Sequence, residues 1–230
     1  MPSRRAPPLA SSEPNHQTHW FALLVFETIF NGFCVAYFFG TMAREQAVLA
    51  YQQASLTDVL TGVANRRGFF ERGELLLRRA VLDGRTAAVM VFDLDRFKEI
   101  NDTLGHHAGD RILECFSRVA ASVLRANDLI GRIGGEEFAC IVIDSSHGEA
   151  MRIAERVRSE FAAAAAAADP VARDATVSIG VAMSGDGLQD LNALIKAADQ
   201  ALYRAKEQGR NRVEMSPVTP LLARRRPAGA

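Results

Sequence analysis

Five residues, Gly134-Gly135-Glu136-Glu137-Phe138, place two adjacent carboxylates directly after two glycines. Extended runs flank them, Asp128 to Ile133 before and Phe138 to Ile143 after. Two such runs joined by Gly-Gly predict a β-hairpin with the carboxylates at its tip. Backbone without side chains beside paired oxygen ligands suits a metal-bound polyphosphate. The five residues alone fit a solvated acidic turn equally well.

A second acidic position lies at the end of Thr86 to Leu94, a near-continuous apolar run of the kind found in a central strand covered on both faces. The run leads into Asp93-Leu94-Asp95, and a strand end is a frequent place for a metal ligand. An EF-hand does not start here, because Phe97 and Lys98 stand where that loop needs an oxygen ligand and a glycine. Arg96 to Asp110 reads as a short connection carrying Lys98, Asn101 and Asp110. Asn101 and Asp110 have the hydrogen-bonding capacity to pair with a base edge such as guanine. Taken locally, a turn cap at Asn101 and a first-turn acid at Asp110 explain the pair more simply. His106 and His107 have no partners at metal-ligand spacing and read as structural. Lys206 and Arg210 either complement a helix dipole or clamp phosphates from four residues apart.

If strand 86–94 lies beside the hairpin, Asp93, Glu136 and Glu137 meet. Two divalent cations held there would polarise the α-phosphorus of a triphosphate toward a hydroxyl. Lys98, Lys206 and Arg210 would neutralise the remaining phosphate charge. This chemistry is nucleotidyl transfer, and the chain holds no G-x-x-x-x-G-K-S/T loop that would favour a Walker-type NTPase.

The elements that must position these groups follow from pattern. Residues 1–19, rich in Pro, Ser and Arg, read as disordered and lack the apolar core of a signal peptide. Trp20 to Gly40 has the length and aromatic ends of a transmembrane helix, with Glu27 its one charge. Its Phe, Leu, Ile and Val residues favour insertion by about 5 kcal/mol, and Glu27 opposes by about 2 to 3, so a buried or dimer-forming helix competes with a span. Residues 41–57 read as a stalk helix, and a globular domain is expected over 58–215. Within it, helices are predicted at 66–82 with Asn65 as cap, 110–125, 147–161 extended through an alanine run, and 191–207. Further strands are predicted at 175–182 and 212–215, and 216–230 as a loose tail. The alternation predicts an α/β fold: a mixed sheet of about five strands flanked by helices.

The totals limit the alternatives. Net charge is zero, which gives no support for a nucleic-acid partner, and 48% apolar residues suffice for a real core. Three scattered cysteines form neither a disulfide framework nor a zinc site.

Together these stretches resemble the GGDEF-domain diguanylate cyclases, bacterial enzymes that condense two GTP into cyclic di-GMP, with a nucleotidyl-cyclase and polymerase-palm-like fold. The matching segments are Asp58 to Arg67, Asp93 to Lys98, Asn101-Asp102, Gly105-His106, Gly109-Asp110, Gly134 to Phe138, Val177 to Gly180, Ala198 to Lys206 and Gly209 to Asn211. The resemblance implies Mg²⁺ (or Mn²⁺), two per active site, held by Asp93, the Leu94 carbonyl and Glu136, with Glu137 assisting. It implies guanine contacts from Asn101 and Asp110 and phosphate contacts from Lys98, Lys206 and Arg210. Glu136 is the first choice to accept the 3′-hydroxyl proton. The family motif has Asp where Glu136 stands; both residues occur in active members. Arg125-Ala-Asn-Asp128 matches the R-x-x-D site at which the family binds its product, and Arg156 matches its secondary arginine. A helix-end salt bridge between Arg125 and Asp128 is the plainer reading of that spacing. The resemblance further implies a homodimer, because each site holds one GTP. It implies a bacterial inner-membrane anchor with the catalytic domain cytoplasmic. Two other readings, a non-catalytic cyclic di-GMP receptor and a membrane-anchored interaction module, remain as alternatives.

Overall fold

The structure, a computed structural model, describes residues 16–54, 56–168, 174–185 and 190–217. The chain divides into two units, Met1–Ala54 and Ser55–Ala230.

The first unit is one helix, α1 (His16–Ala54). It starts ahead of Trp20, inside the segment expected to be disordered, and runs without a break into the expected stalk as far as Ala54. Once a helix is nucleated, each added residue costs little, so polar flanks extend an apolar centre. Leu23–Met42 is long and apolar enough to cross a membrane, with a mean hydropathy of 1.6. Trp20, Phe33 and Tyr37 stand exposed along it. The expected tail beyond residue 217 lies outside the described residues, as does the chain before His16.

The second unit carries the sheet. After α2 (Arg66–Leu82) come β1 (Ala87–Leu94), α3 (Phe97–Leu104), α4 (His106–Val123), β2 (Leu129–Arg132) and β3 (Glu137–Ile143). Then follow α5 (His147–Ala168), β4 (Val177–Met183), α6 (Leu191–Glu207) and β5 (Val213–Met215). The strand order is β2-β3-β1-β4-β5. The central strand β1 pairs antiparallel with β3 and β4, and β4 pairs parallel with β5, so the sheet is mixed as expected. Asn65 caps α2 by accepting from the Gly68 N–H at 2.9 Å.

The alternation of side chains along a strand decides what β1 delivers to each face. Ala88, Met90, Phe92 and Leu94 pack with Phe116 of α4 and Phe161 of α5. Ala87, Val89 and Val91 pack with Leu77 of α2 and Leu194 and Leu202 of α6. Asp93 continues the second series, and Glu137 sits opposite it in register on β3. Both carboxylates therefore belong to the α6 face of the sheet.

The expectation for residues 96–110 needs correction. Residues 96–110 are not a simple connection but hold α3 and the first turn of α4. Arg96 precedes α3 in the left-handed region and offers no side-chain cap, so the sequence carries no start signal there.

Candidate active site

Strand parity places Asp93 under the end of α6, and Lys206 closes on it: Nζ lies 2.7 Å from the buried Asp93 carboxylate. Burial pushes the Asp93 carboxyl above its usual range, with Glu137 and Asp95 adding to the shift and Lys206 opposing it. Glu136 is also pushed up, first by burial, then by the charge of Asp93. Its backbone carbonyl accepts the Leu94 N–H at 3.3 Å, so the hairpin tip is tied to the end of β1. Asp93, Glu136 and Glu137 thus form one electrostatic cluster, compensated by Lys206.

The turn itself is closed by Glu137 O accepting the N–H groups of Ile133 at 2.9 Å and Gly134 at 3.2 Å. Gly134 packs against Glu137: a Cβ there would oblige the Glu137 carboxylate to move. Arg132 holds the turn from outside. Its Nε and Nη2 donate to Gly135 O at 3.1 and 2.6 Å, while Nη1 lies 3.5 Å from Asp58. Asp58 also accepts from the N–H and hydroxyl of Thr61 at 2.9 and 2.6 Å. Burial alone would raise Asp58, but these hydrogen bonds and the Arg132 charge outweigh it and hold its carboxyl below the usual value. Arg66 adds a bond to Ile133 O at 2.8 Å. The sequence reading missed Arg132 and Arg66; the polar turn Asp58-x-x-Thr61 was the available signal.

Packing brings Asn101 close to the start of α4, where Asp110 lies. Asn101 of α3 lies against Gly109 of α4, where any side chain would collide with its amide oxygen. Asp110 is the next residue. The Asn101 Oδ1 is buried and has no hydrogen-bond partner. Native proteins rarely leave such an acceptor unmet. Lys98 is exposed on the first turn of α3. Arg210 is exposed just after α6, in the left-handed conformation at φ 64.

The donor set suits a hard divalent cation: carboxylate oxygens in a partly buried, mutually repelling cluster beside a backbone carbonyl. Among the described residues no three His, Cys, Asp or Glu side chains are already gathered as a metal cage. Lys206 instead takes the Asp93 carboxylate. On α6, Asp199 is exposed at the surface, yet desolvation and then the charge of Glu137 raise its carboxyl.

At the far end of the hairpin, Arg125 and Asp128 line a cavity of about 410 Å³ together with Arg79 and Arg85. The helix-end salt bridge between Arg125 and Asp128 is not formed. Arg125 Nη2 pairs with Glu149 at 2.5 Å, while Asp128 accepts backbone N–H groups from Arg125 at 2.9 Å and Ile143 at 3.4 Å. Arg156 does not line this cavity; it is exposed on α5 and paired with Glu160 at 2.7 Å.

A family model described as "Diguanylate cyclase, GGDEF domain" matches residues 55–212. The chain belongs to the GGDEF family. Over 164 residues it is 42% identical to the response regulator PleD of Caulobacter vibrioides, covering 70% of this chain and 36% of that protein. It is 41% identical over 161 residues to diguanylate cyclase DosC of Escherichia coli, covering 69% of this chain and 34% of that protein. The chain therefore spans about a third of the length of these curated relatives. The GGDEF domain of DgcB from Caulobacter crescentus, solved in complex with c-di-GMP, superposes with a TM-score of 0.64 at 31% identity, covering 70% of this chain and 96% of that one. The active GGEEF domain of a diguanylate cyclase from Vibrio cholerae superposes with a TM-score of 0.62 at 30% identity, covering 71% and 99%.

Proposed function

We propose that this GGDEF chain is a diguanylate cyclase that joins two GTP into cyclic di-GMP and releases two pyrophosphates. The observation that carries the reading is the convergence of Asp93, Glu136 and Glu137 on Lys206, with the unmet Asn101 oxygen packed against Gly109, next to Asp110. Kinship with DosC and with the Vibrio cholerae GGEEF domain points the same way.

Asp93, Glu136 and the Leu94 carbonyl would hold two Mg²⁺ or Mn²⁺ ions, which when bound polarise the α-phosphorus and offset the charge developing on its oxygens. Asn101 Oδ1 accepts an N–H of guanine, and Asp110 accepts from its ring N–H and exocyclic amine. Lys206 leaves Asp93 for a phosphate oxygen, and Lys98 and Arg210 meet the outer phosphates. Glu136, its carboxyl raised above its usual value by burial and then by Asp93, is suited to take the proton from the 3′-hydroxyl. Each domain holds one GTP, so two copies must face each other. Residues 20–40 anchor the chain in the bacterial inner membrane, and 41–57 form a stalk that sets the spacing of two cytoplasmic catalytic domains spanning 58–215. Product binds at Arg125 and Asp128, where Arg79 and Arg85 add positive charge, and Arg156 meets it from a second domain.

The test is incubation of the purified full-length chain with GTP and Mg²⁺, with the product identified by mass. Cyclic di-GMP is expected from GTP and no corresponding product from ATP. GTP left unchanged by a confirmed dimer would refute the reading.

A further inference from the structure

The Asp at the end of the Asp93-Leu94-Asp95 run has no part in the chemistry above, yet it is more buried than its neighbour, at 4% exposed against 7% for Asp93. Its two oxygens take three hydrogen bonds from two different elements. Oδ1 accepts from the Ser178 hydroxyl at 2.7 Å on β4. Oδ2 accepts from the Thr176 hydroxyl at 2.7 Å, just before β4, and from the Asn211 backbone N–H at 3.1 Å, in the turn after α6. That last bond reaches the residue next to Arg210.

The turn it reaches is costly to hold. Arg210 and Asn211 both adopt left-handed backbone, at φ 64 and 46, a region that side chains with a Cβ disfavour. Two consecutive residues of this kind persist when surrounding bonds fix them. Asp95 supplies one such bond, and Arg158 of α5 supplies another by donating to Asn211 Oδ1 at 2.6 Å. On its other side, Asp95 is followed by Arg96, also left-handed at φ 55, which starts α3 and so aims Lys98 and Asn101. Asp95, Arg96, Arg210 and Asn211 line one cavity of about 340 Å³. The end of β1 therefore grips the end of α6 twice, through Asp93 on Lys206 and through Asp95 on Asn211.

We propose that Asp95 is a positioning residue for triphosphate binding, holding the left-handed Arg210-Asn211 turn so that the Arg210 guanidinium is presented to the phosphates. It touches no substrate atom itself. The inference rests on the reading of Arg210 as a phosphate ligand.

The chemistry of the replacements separates positioning from bulk stability. In Asp95→Asn, an amide oxygen can keep the Oδ2 bonds while its NH₂ donates to the Ser178 hydroxyl, which is free to accept. In Asp95→Ala the Asn211 N–H loses its acceptor. Initial rates of cyclic di-GMP formation by the full-length chain are measured against GTP for wild type, Asp95→Asn, Asp95→Ala, Arg210→Ala and the double variant Asp95→Ala/Arg210→Ala. Asp95→Ala should raise the GTP KM about tenfold with kcat changed much less, the size expected for a lost charged hydrogen bond. Asp95→Asn should raise the KM clearly less than Asp95→Ala, since the Asn211 N–H keeps an acceptor, though an uncharged one. In the double variant, the KM should equal that of Arg210→Ala alone. If Asp95→Ala does not fold by circular dichroism, Asp95→Ser takes its place, keeping a buried polar group too short to reach Asn211. An unchanged KM in the folded variant, or additive effects in the double variant, overturns the inference and leaves the GTP reading standing. A wild-type chain that turns over no GTP overturns both.

Discussion

Lys206 Nζ sits 2.7 Å from the Asp93 carboxylate, pairing a proposed phosphate ligand with a proposed metal ligand. Without nucleotide, each satisfies the other. With metal and triphosphate bound, each has a better partner of opposite charge. Lys206→Ala should therefore do two things. It should raise the GTP KM, and it should destabilise the free chain by about 1 to 3 kcal/mol, less than for a fully buried pair because Lys206 reaches solvent. Denaturant melts without nucleotide check the second effect. A variant that loses GTP affinity with unchanged stability would show that the pair is not a mutual placeholder.

Asn101 makes the opposite prediction for stability. Its buried oxygen is unmet in the free chain, a condition that costs about 1 to 3 kcal/mol. Asn101→Ala should leave the melting temperature unchanged or raise it, while raising the GTP KM at least about tenfold. The same substitution should narrow the preference for GTP over ITP, which lacks the exocyclic amine. Competition kinetics with the two nucleotides measure that directly.

Glu136 links activity to pH. Its carboxyl is raised above the ordinary value of 4.5 by burial and by Asp93. A carboxyl raised in the folded state is held charged at a cost at neutral pH, and the cost is relieved as pH falls through its folded-state pKa. Glu136→Gln should therefore melt higher than wild type at neutral pH, with the difference closing as pH approaches about 4.5. It should also abolish cyclic di-GMP formation. Thermal melts across that range test the sign; a lower melting temperature for the glutamine variant at neutral pH contradicts it.

Arg125 is bound to Glu149 in a solvent-reaching ion pair, Arg125 exposed and Glu149 half-buried, which contributes about 1 kcal/mol or less. Arg125→Ala should therefore fold normally and escape product inhibition. Progress curves that stay linear where wild type slows are the expected result; the same curvature in both would remove Arg125 from the inhibitory site.

Much of this fold is visible in the sequence because its strands are apolar runs and its helices carry apolar stripes. The reading of 86–94 as a central strand needs only Ala87 to Leu94, all buried in the structure. That strand's place beside the hairpin is enough to bring Asp93 to Glu137. Helix α3 escapes because it is short and preceded by a left-handed arginine instead of a capping side chain. The clamp of Arg132 on Gly135 escapes for a different reason. An arginine at the end of a strand looks like a solvated position, and its partners, Gly135 O across the turn and Asp58 from far back in the chain, appear only in the fold. Arg79 and Arg85 are likewise unremarkable near a helix end until folding sets them beside Arg125.

The most direct measurement is the nucleotide product made by the full-length Arg125→Ala chain and by Arg125→Ala/Glu136→Gln, each with GTP and Mg²⁺, identified by liquid chromatography and mass spectrometry. The Arg125→Ala background removes inhibition by product carried through purification. The account predicts cyclic di-GMP from the first and none from the second, with both chains folded and equally dimeric. GTP left intact by the first, or cyclic di-GMP made equally well by both, would contradict it.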